Sequence, residues 1–366
     1  MDTSDSRIVF NEEGVCDHCV GFQKNVVPTW RTDESGRAEA EKIIGAIRAA
    51  GKGKDFSCIL GLSGGVDSSY LCHLAVKEFG LRPLVFHVDG GWNSELAVHN
   101  IQVMVEKLGL DLFTEVIDWD DMKALQLAFF KSGVPHIDIP QDHAFIATLY
   151  RYAERYGIRY ILNGGNLSTE CVRNPMEFLY YGTDMVQIRD ILRRFGNVRL
   201  KSYPFSPILR HKLYLRYIRG VRVVRLLDYR PYVKQEAVQL LEREYGWKPY
   251  PQKHFESRFT RFYEGYWLRE RFGFDTRRVQ YSSLILTGQM TRKEALEKLA
   301  VPPFDQETAD ADFDYVASKL GISTEELRGY FRLPKKFYWD YRNQQGLFNL
   351  GARVLKALGI EKSIKR

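Results

Sequence analysis

Short apolar runs alternate with stretches of helical spacing through the first half of the chain. Residues 58–60 form such a run and predict a buried strand, and after a polar turn residues 69–79 bring Tyr70, Leu71, Leu74, Ala75 and Phe79 onto one helical face. Residues 83–88 predict a second strand. Residues 93–108 predict an amphipathic helix behind an Asn93 N-cap, with Leu96, Ile101, Val105 and Leu108 inward. A third strand at 112–117, helices at 120–131 and 141–156, and a fourth strand at 159–162 follow. Upstream, residues 33–50 read as a helix burying Ile43, Ile44 and Ile47. Strands alternating with helices predict an α/β fold, a Rossmann-like parallel sheet with helices on both faces.

Beyond residue 170 the periodicity weakens, apart from a helix expected at 233–245. From Thr291 onward the chain reads as small helices. Thr291 with Glu294 and Ser323 with Glu326 have the spacing of capping boxes, and residues 347–358 predict a last amphipathic helix before a basic tail. The expected organisation is an N-terminal cysteine-bearing segment (1–30), a nucleotide-binding α/β domain (31–210) and a mainly helical C-terminal region (211–366).

Ligands of open parallel sheets sit at the carboxyl ends of the strands. The first, second and fourth predicted strands end in SGGVDS, Asp89-Gly-Gly91 and Asn163-Gly-Gly-Asn166, so three glycine-rich loops should converge. In SGGVDS the glycines admit a ligand to the backbone, and the free N–H groups of the helix start point at it, which makes a seat for an anion. Ser63, Ser68 and Ser69 add hydroxyls. Asp67, an odd neighbour for a phosphate, makes sense with a Mg²⁺ between carboxylate and phosphate. The expected nucleotide contacts are Leu62, Ser63, Gly64, Gly65, Asp67, Ser68 and Ser69, with Asp89 toward the nucleoside and Gly164 and Asn166 on the fourth loop. A plainer reading of Asp89 is that it caps its own turn. The hexapeptide lacks the features of a Walker P-loop or a GxGxxG turn. It resembles the SGGxDS signature of the PP-loop ATP-pyrophosphatases, which implies a HUP-type (adenine nucleotide alpha hydrolase-like) domain that splits ATP into AMP and pyrophosphate.

With 366 residues, 45% of them hydrophobic, the chain is long enough for one large or two medium domains. No apolar run approaches the roughly 18 residues of a membrane span, and the polar start is no signal peptide, so a cytoplasmic protein is expected. The net charge of +7 is unevenly spread: between Arg189 and Lys234 stand 13 Lys or Arg against Asp190 and Asp228, a block suited to a phosphorylated partner. Five cysteines, two of them in core-like patterns, disfavour a disulfide framework. Cys16 and Cys19 form a C-x₂-C knuckle, half of a tetrahedral zinc site, and are candidate zinc ligands; no second C-x₂-C occurs to complete it.

Residues 250–275 hold seven Phe and Tyr after Tyr250, with Lys253, His254, Glu256, Arg258 and Arg261 among them. A core-facing aromatic stripe and a solvated charged face compete here, and neither explains Lys253-His254 directly after a proline turn. SGGVDSSY, HVDGGWNS (87–94), PQDHAF (140–145) and KHFESRFTRFYEGYWL (253–268) together resemble the N-acetyl sugar amidotransferases of bacterial surface-polysaccharide (LPS O-antigen) biosynthesis. That resemblance spans nearly the whole chain. It implies conversion of an acetamido group on a nucleotide-activated sugar, such as a UDP-linked diacetamido uronic acid, to an acetamidino group with ATP, Mg²⁺ and ammonia. It also implies, as ammonia supply, a glutaminase and a barrel subunit resembling imidazole glycerol phosphate synthase. By the same resemblance Asp67, Lys253 and His254 take catalytic roles, Lys253 and Arg258 at the departing pyrophosphate and His254 as a proton relay. Members commonly carry another C-x₂-C just before the residues that align with Met1-Asp2-Thr3, where this sequence starts. The competing expectation is a PP-loop tRNA-thiolation enzyme with Cys171 as a sulfur-carrying nucleophile. The modest charge disfavours nucleic acid, and self-association is left open.

Overall fold

A computed structural model describes residues 1–196 and 198–357, the side chains at 211, 212, 355 and 356 excepted; residue 358 and the basic tail lie outside the described residues. The four expected strands form as β1 (Cys58–Gly61), β2 (Pro83–Asp89), β3 (Leu112–Val116) and β4 (Tyr160–Leu162). A fifth, β5 (Arg222–Val224), lies beyond the domain boundary expected at 210 and pairs with β4. Only three residues long and polar at Arg222, it has no alternation to betray it. All pairs are parallel, in the order β3-β2-β1-β4-β5. The chain leaves β1 toward β2 on one side and reaches β4 on the other, so β1 and β4 flank the switch point where such sheets open a crevice.

Alternation along the strands builds two cores. Ile59, Leu84 and Phe86 face one side, where Phe129, Phe130 and Ala144 meet Phe259, Phe262, Trp267 and Phe313 of the C-terminal helices. Cys58, Leu60 and Val85 face the other, against Ile44, Ile47, Leu71, Ile101, Met104 and Leu241. The sheet is thus covered on both faces, and the C-terminal region packs directly onto it rather than standing apart. Burial also decides the aromatic segment: Phe259, Phe262, Tyr263, Trp267 and Leu268 are core residues.

Several helix starts depart from expectation. The helix after β2 is Glu95–Leu108, capped by Ser94 Oγ accepting from the Ala97 N–H at 3.1 Å, and not by Asn93. Asn93 instead donates its amide to His87 Nε2 at 2.9 Å. Thr291 and Glu294 form the full capping box. At Ser323 only half of one forms, because Glu326 accepts from the Tyr330 hydroxyl. The last helix is Gln345–Ala357. Among the described residues no helix is long and apolar enough to cross a membrane.

Candidate active site

The turn after β1 is shaped by glycine. Gly64 has φ +84°, and a Cβ there would stand 2.8 Å from the Ala97 carbonyl oxygen, so the left-handed conformation and the close approach both require glycine. Gly65 then caps the helix Val66–His73, which leaves the first N–H groups of that helix open at the mouth of the crevice. Ser63 and Ser68 bridge the turn through their hydroxyls at 3.1 Å. On the neighbouring loop after β4, Gly164 lets the two backbones close: a Cβ would lie 3.1 Å from the Asp67 carbonyl carbon.

Asp67 is the electrostatic centre. Its Oδ1 accepts from the Tyr232 hydroxyl at 2.6 Å and from Asn166 Nδ2 at 3.2 Å, and its Oδ2 stands 3.3 Å from Lys253 Nζ. The same ammonium meets Glu170 Oε1 at 2.6 Å. Burial alone would raise the Asp67 pKa, but Lys253 and the Tyr232 hydroxyl overcome it and hold the carboxyl below its ordinary range. Burial likewise works against the Lys253 charge, and Asp67 with Glu170 reverse that, pushing its pKa up. Lys234 reaches the same crevice, where burial pulls its pKa down against the attraction of Asp67. Two ammoniums therefore face the open helix start, an arrangement complementary to a chain of phosphates.

Of the residues expected at the nucleotide, Ser63, Gly65, Asp67, Ser68, Gly164, Lys253 and His254 line this crevice. Others do not. Leu62 is buried beneath it, its carbonyl accepting from His87. The Gly64 carbonyl is taken by the Trp247 indole N–H at 3.0 Å. Ser69 is wholly buried in its helix and turned from the crevice. Asp89 caps its own turn, Oδ1 accepting from the Gly91 N–H at 2.7 Å. Asn166 stays buried behind Asp67 and acts on the crevice through it. Arg258 is drawn away by Asp312 at 2.7 Å, which also binds Arg261, and lies over the Tyr315 ring. Sequence reasoning missed Tyr232 and Glu256, whereas Glu170 falls in the stretch 166–171 expected at the nucleotide or second substrate and Lys234 ends the basic block expected at a phosphorylated partner. Much of that block is tied locally, Arg193 and Arg194 to Asp190, Arg210 to Glu154 and Arg230 to Glu78. Arg189, Arg193 and Arg199 still line a second, open crevice with Phe205.

Cys16 and Cys19 stand 3.4 Å apart, His18 is held by Asp5 at 2.9 Å, and burial with the adjacent Cys16 pushes the Cys19 thiol up to about 11. Among the described residues no group of three or more His, Cys, Asp or Glu could hold a metal, so the knuckle lacks the ligands of a tetrahedral zinc site. Cys171 is buried and its thiol raised by burial, the opposite of a reactive thiolate. Magnesium is a different case, because in phosphate sites it needs only one or two carboxylates beside phosphate oxygens, and Asp67 with Glu170 fit that donor set.

Residues 256–355 match the family of the LPS biosynthesis protein WbpG-like, C-terminal domain. Among solved structures, an NMN synthetase from Francisella tularensis aligns at 16% identity over 79% of this chain and 97% of that one, with a TM-score of 0.33. An NH3-dependent NAD synthetase from Campylobacter jejuni aligns at 16% identity over 57% and 83%, with a TM-score of 0.29. Scores this low carry no argument about the present chain. No curated protein gives a significant match.

Proposed function

We propose that this chain, whose residues 256–355 form a WbpG-like domain of LPS biosynthesis, is an ATP-dependent amidotransferase acting on a nucleotide-activated sugar. The observation that carries the reading is the Lys253 to Asp67 contact at 3.3 Å, which joins a lysine just ahead of that domain to the SGGVDS turn, far away in sequence. An amide oxygen is a poor leaving group. Its attack on the α-phosphate of ATP yields an O-adenylyl imidate and pyrophosphate; ammonia then adds to the amide carbon, and AMP departs to leave an amidine. The N–H groups opening the helix Val66–His73, with Lys253 and Lys234, bind the pyrophosphate as its charge separates, an electrostatic contribution on the order of 3–4 kcal/mol per well-aimed donor. Mg²⁺, when bound with ATP, neutralises phosphate charge, and Asp67 and Glu170 are the carboxylates available to hold it. As Lys253 turns to phosphate it releases Asp67 for that role.

The acceptor we favour is a UDP-linked diacetamido uronic acid, whose anionic groups suit the crevice of Arg189, Arg193 and Arg199. A glutaminase with a barrel subunit resembling imidazole glycerol phosphate synthase would supply ammonia in the cytoplasm. The test is pyrophosphate release from ATP with an ammonium salt and a panel of UDP- and CMP-linked acetamido sugars, beside bulk tRNA, with mass spectrometry of the products. A sugar lighter by the difference between O and NH supports the proposal. Release stimulated only by tRNA overturns it.

A further inference from the structure

Backbone strain singles out one residue of the phosphate crevice. His254 has φ +67° and is the one non-glycine residue with a left-handed backbone among the described residues. That conformation is costly for any residue with a Cβ, and Asn or Asp offset the cost by hydrogen-bonding locally. His254 does not, because its half-buried ring forms no hydrogen bond or ion pair among the described residues. The surrounding structure must therefore impose the turn.

Both flanks of His254 are tied down. Upstream, the Lys248 N–H donates to Asn100 Oδ1 and Asn100 Nδ2 to the Lys248 carbonyl, both at 2.8 Å. The Tyr250 hydroxyl donates to the Gly64 carbonyl at 3.2 Å, and Gln252 Oε1 accepts from the Tyr281 hydroxyl at 3.2 Å. These bonds lay residues 248–252 beside the SGGVDS turn. Downstream, Ser257 bridges antiparallel to Asn93 in the loop after β2, where the Ser94 N–H donates to the Glu256 carbonyl at 3.0 Å and the Arg258 N–H to the Trp92 carbonyl at 2.8 Å. Phe255 is buried, its ring 5.9 Å from that of Phe304. The change of direction between these anchors falls on His254. It leaves the Lys253 side chain on Asp67 and Glu170 in the crevice and the Phe255 side chain in the core.

We infer that His254 is a positioning residue whose left-handed backbone, and not its imidazole, serves the crevice, by aiming the Lys253 ammonium at the phosphates of the nucleotide. The assignment rests on the phosphate-binding role of Lys253 proposed above, and it departs from the proton relay that the family resemblance implies for His254. A residue that resists the left-handed turn lets the strap of residues 248–258 settle elsewhere. Phosphate affinity then falls with the fraction of chains in which Lys253 is still aimed. Ring chemistry predicts equal losses whenever the imidazole is removed. Backbone aim predicts losses graded by how well the replacement accepts φ +67°.

Titration calorimetry of inorganic pyrophosphate with Mg²⁺ reads the difference on the full chain carrying His254→Gly, His254→Asn, His254→Ala or His254→Val, all of which lack the imidazole. Glycine accepts the turn, asparagine tolerates it, alanine less so, and the branched valine resists it. Dissociation constants should rise in that order, with valine at least about tenfold weaker than glycine. Alanine carries the comparison if the valine chain fails to fold. Lys253→Met should weaken pyrophosphate binding roughly tenfold or more beside His254→Gly and under about twofold beside His254→Val, a coupling that a merely structural role would not produce. Equal losses in the four variants, or an equal Lys253→Met effect in both backgrounds, overturns the assignment. A wild-type chain that binds no pyrophosphate overturns it too, together with the phosphate reading of the crevice. The graded order in a chain that amidinates none of the sugars keeps the positioning role and sinks the amidination reading alone.

Discussion

Replacing Lys253 by Met leaves a similar volume but removes a charge that joins three chain segments. The ammonium is 3.3 Å from Asp67 and 2.6 Å from Glu170. At an effective dielectric of 20 the Asp67 pair alone is worth about 5 kcal/mol before desolvation. Removing one partner of a buried pair costs roughly 3–5 kcal/mol, and the Glu170 share is small because that side chain is 38% exposed. We therefore expect Lys253→Met to lose about 2–4 kcal/mol in urea denaturation at neutral pH. Asp67 is held below its ordinary 3.8, so its contribution is present above that value and fades as pH falls through the lower folded value. The lysine, held above 10.5, contributes fully below that value and is lost only in more alkaline solution. Wild-type stability should accordingly drop on acidification below about pH 4, and the variant should drop less. Pyrophosphate release should fall by roughly 10²–10³, the loss seen when one preorganised charge donor is removed. A variant within about 0.5 kcal/mol of wild type, with the same acid limb, would refute the pairing as the organiser of the site.

Two further outcomes follow from the same geometry. Gly64→Ala forces a side chain into φ +84° and against the Ala97 backbone, so it should cost about 2–5 kcal/mol in urea denaturation, whereas Gly65→Ala meets mainly the mobile end of Glu256 and should cost under about 1 kcal/mol; equal costs would show the turn to be freely adjustable. Cys171→Ala should leave pyrophosphate release within about twofold and stability within roughly 1–2 kcal/mol, since the thiol is buried and its ionisation suppressed; loss of activity in a folded variant would return sulfur chemistry to the site.

The sequence by itself determined the α/β alternation, four of the five strands and the glycine turn after β1 that opens onto the crevice. These are local or periodic properties: an apolar run, a helical spacing or a glycine turn is written in consecutive residues. Even there, a neighbouring serine displaced Asn93 as the cap, because Ser94 presents its hydroxyl to the Ala97 N–H at the right offset. What only the tertiary structure decided is which charges meet. Lys253 and Arg258 look equally suited to phosphate on paper, yet the fold turns one to Asp67 and ties the other to Asp312. Tyr232 has no motif, and β5 has no alternation; they join the site and the sheet because packing carries distant backbone past β4. Long-range pairing depends on how two cores fold around one sheet, and no window of consecutive residues records it.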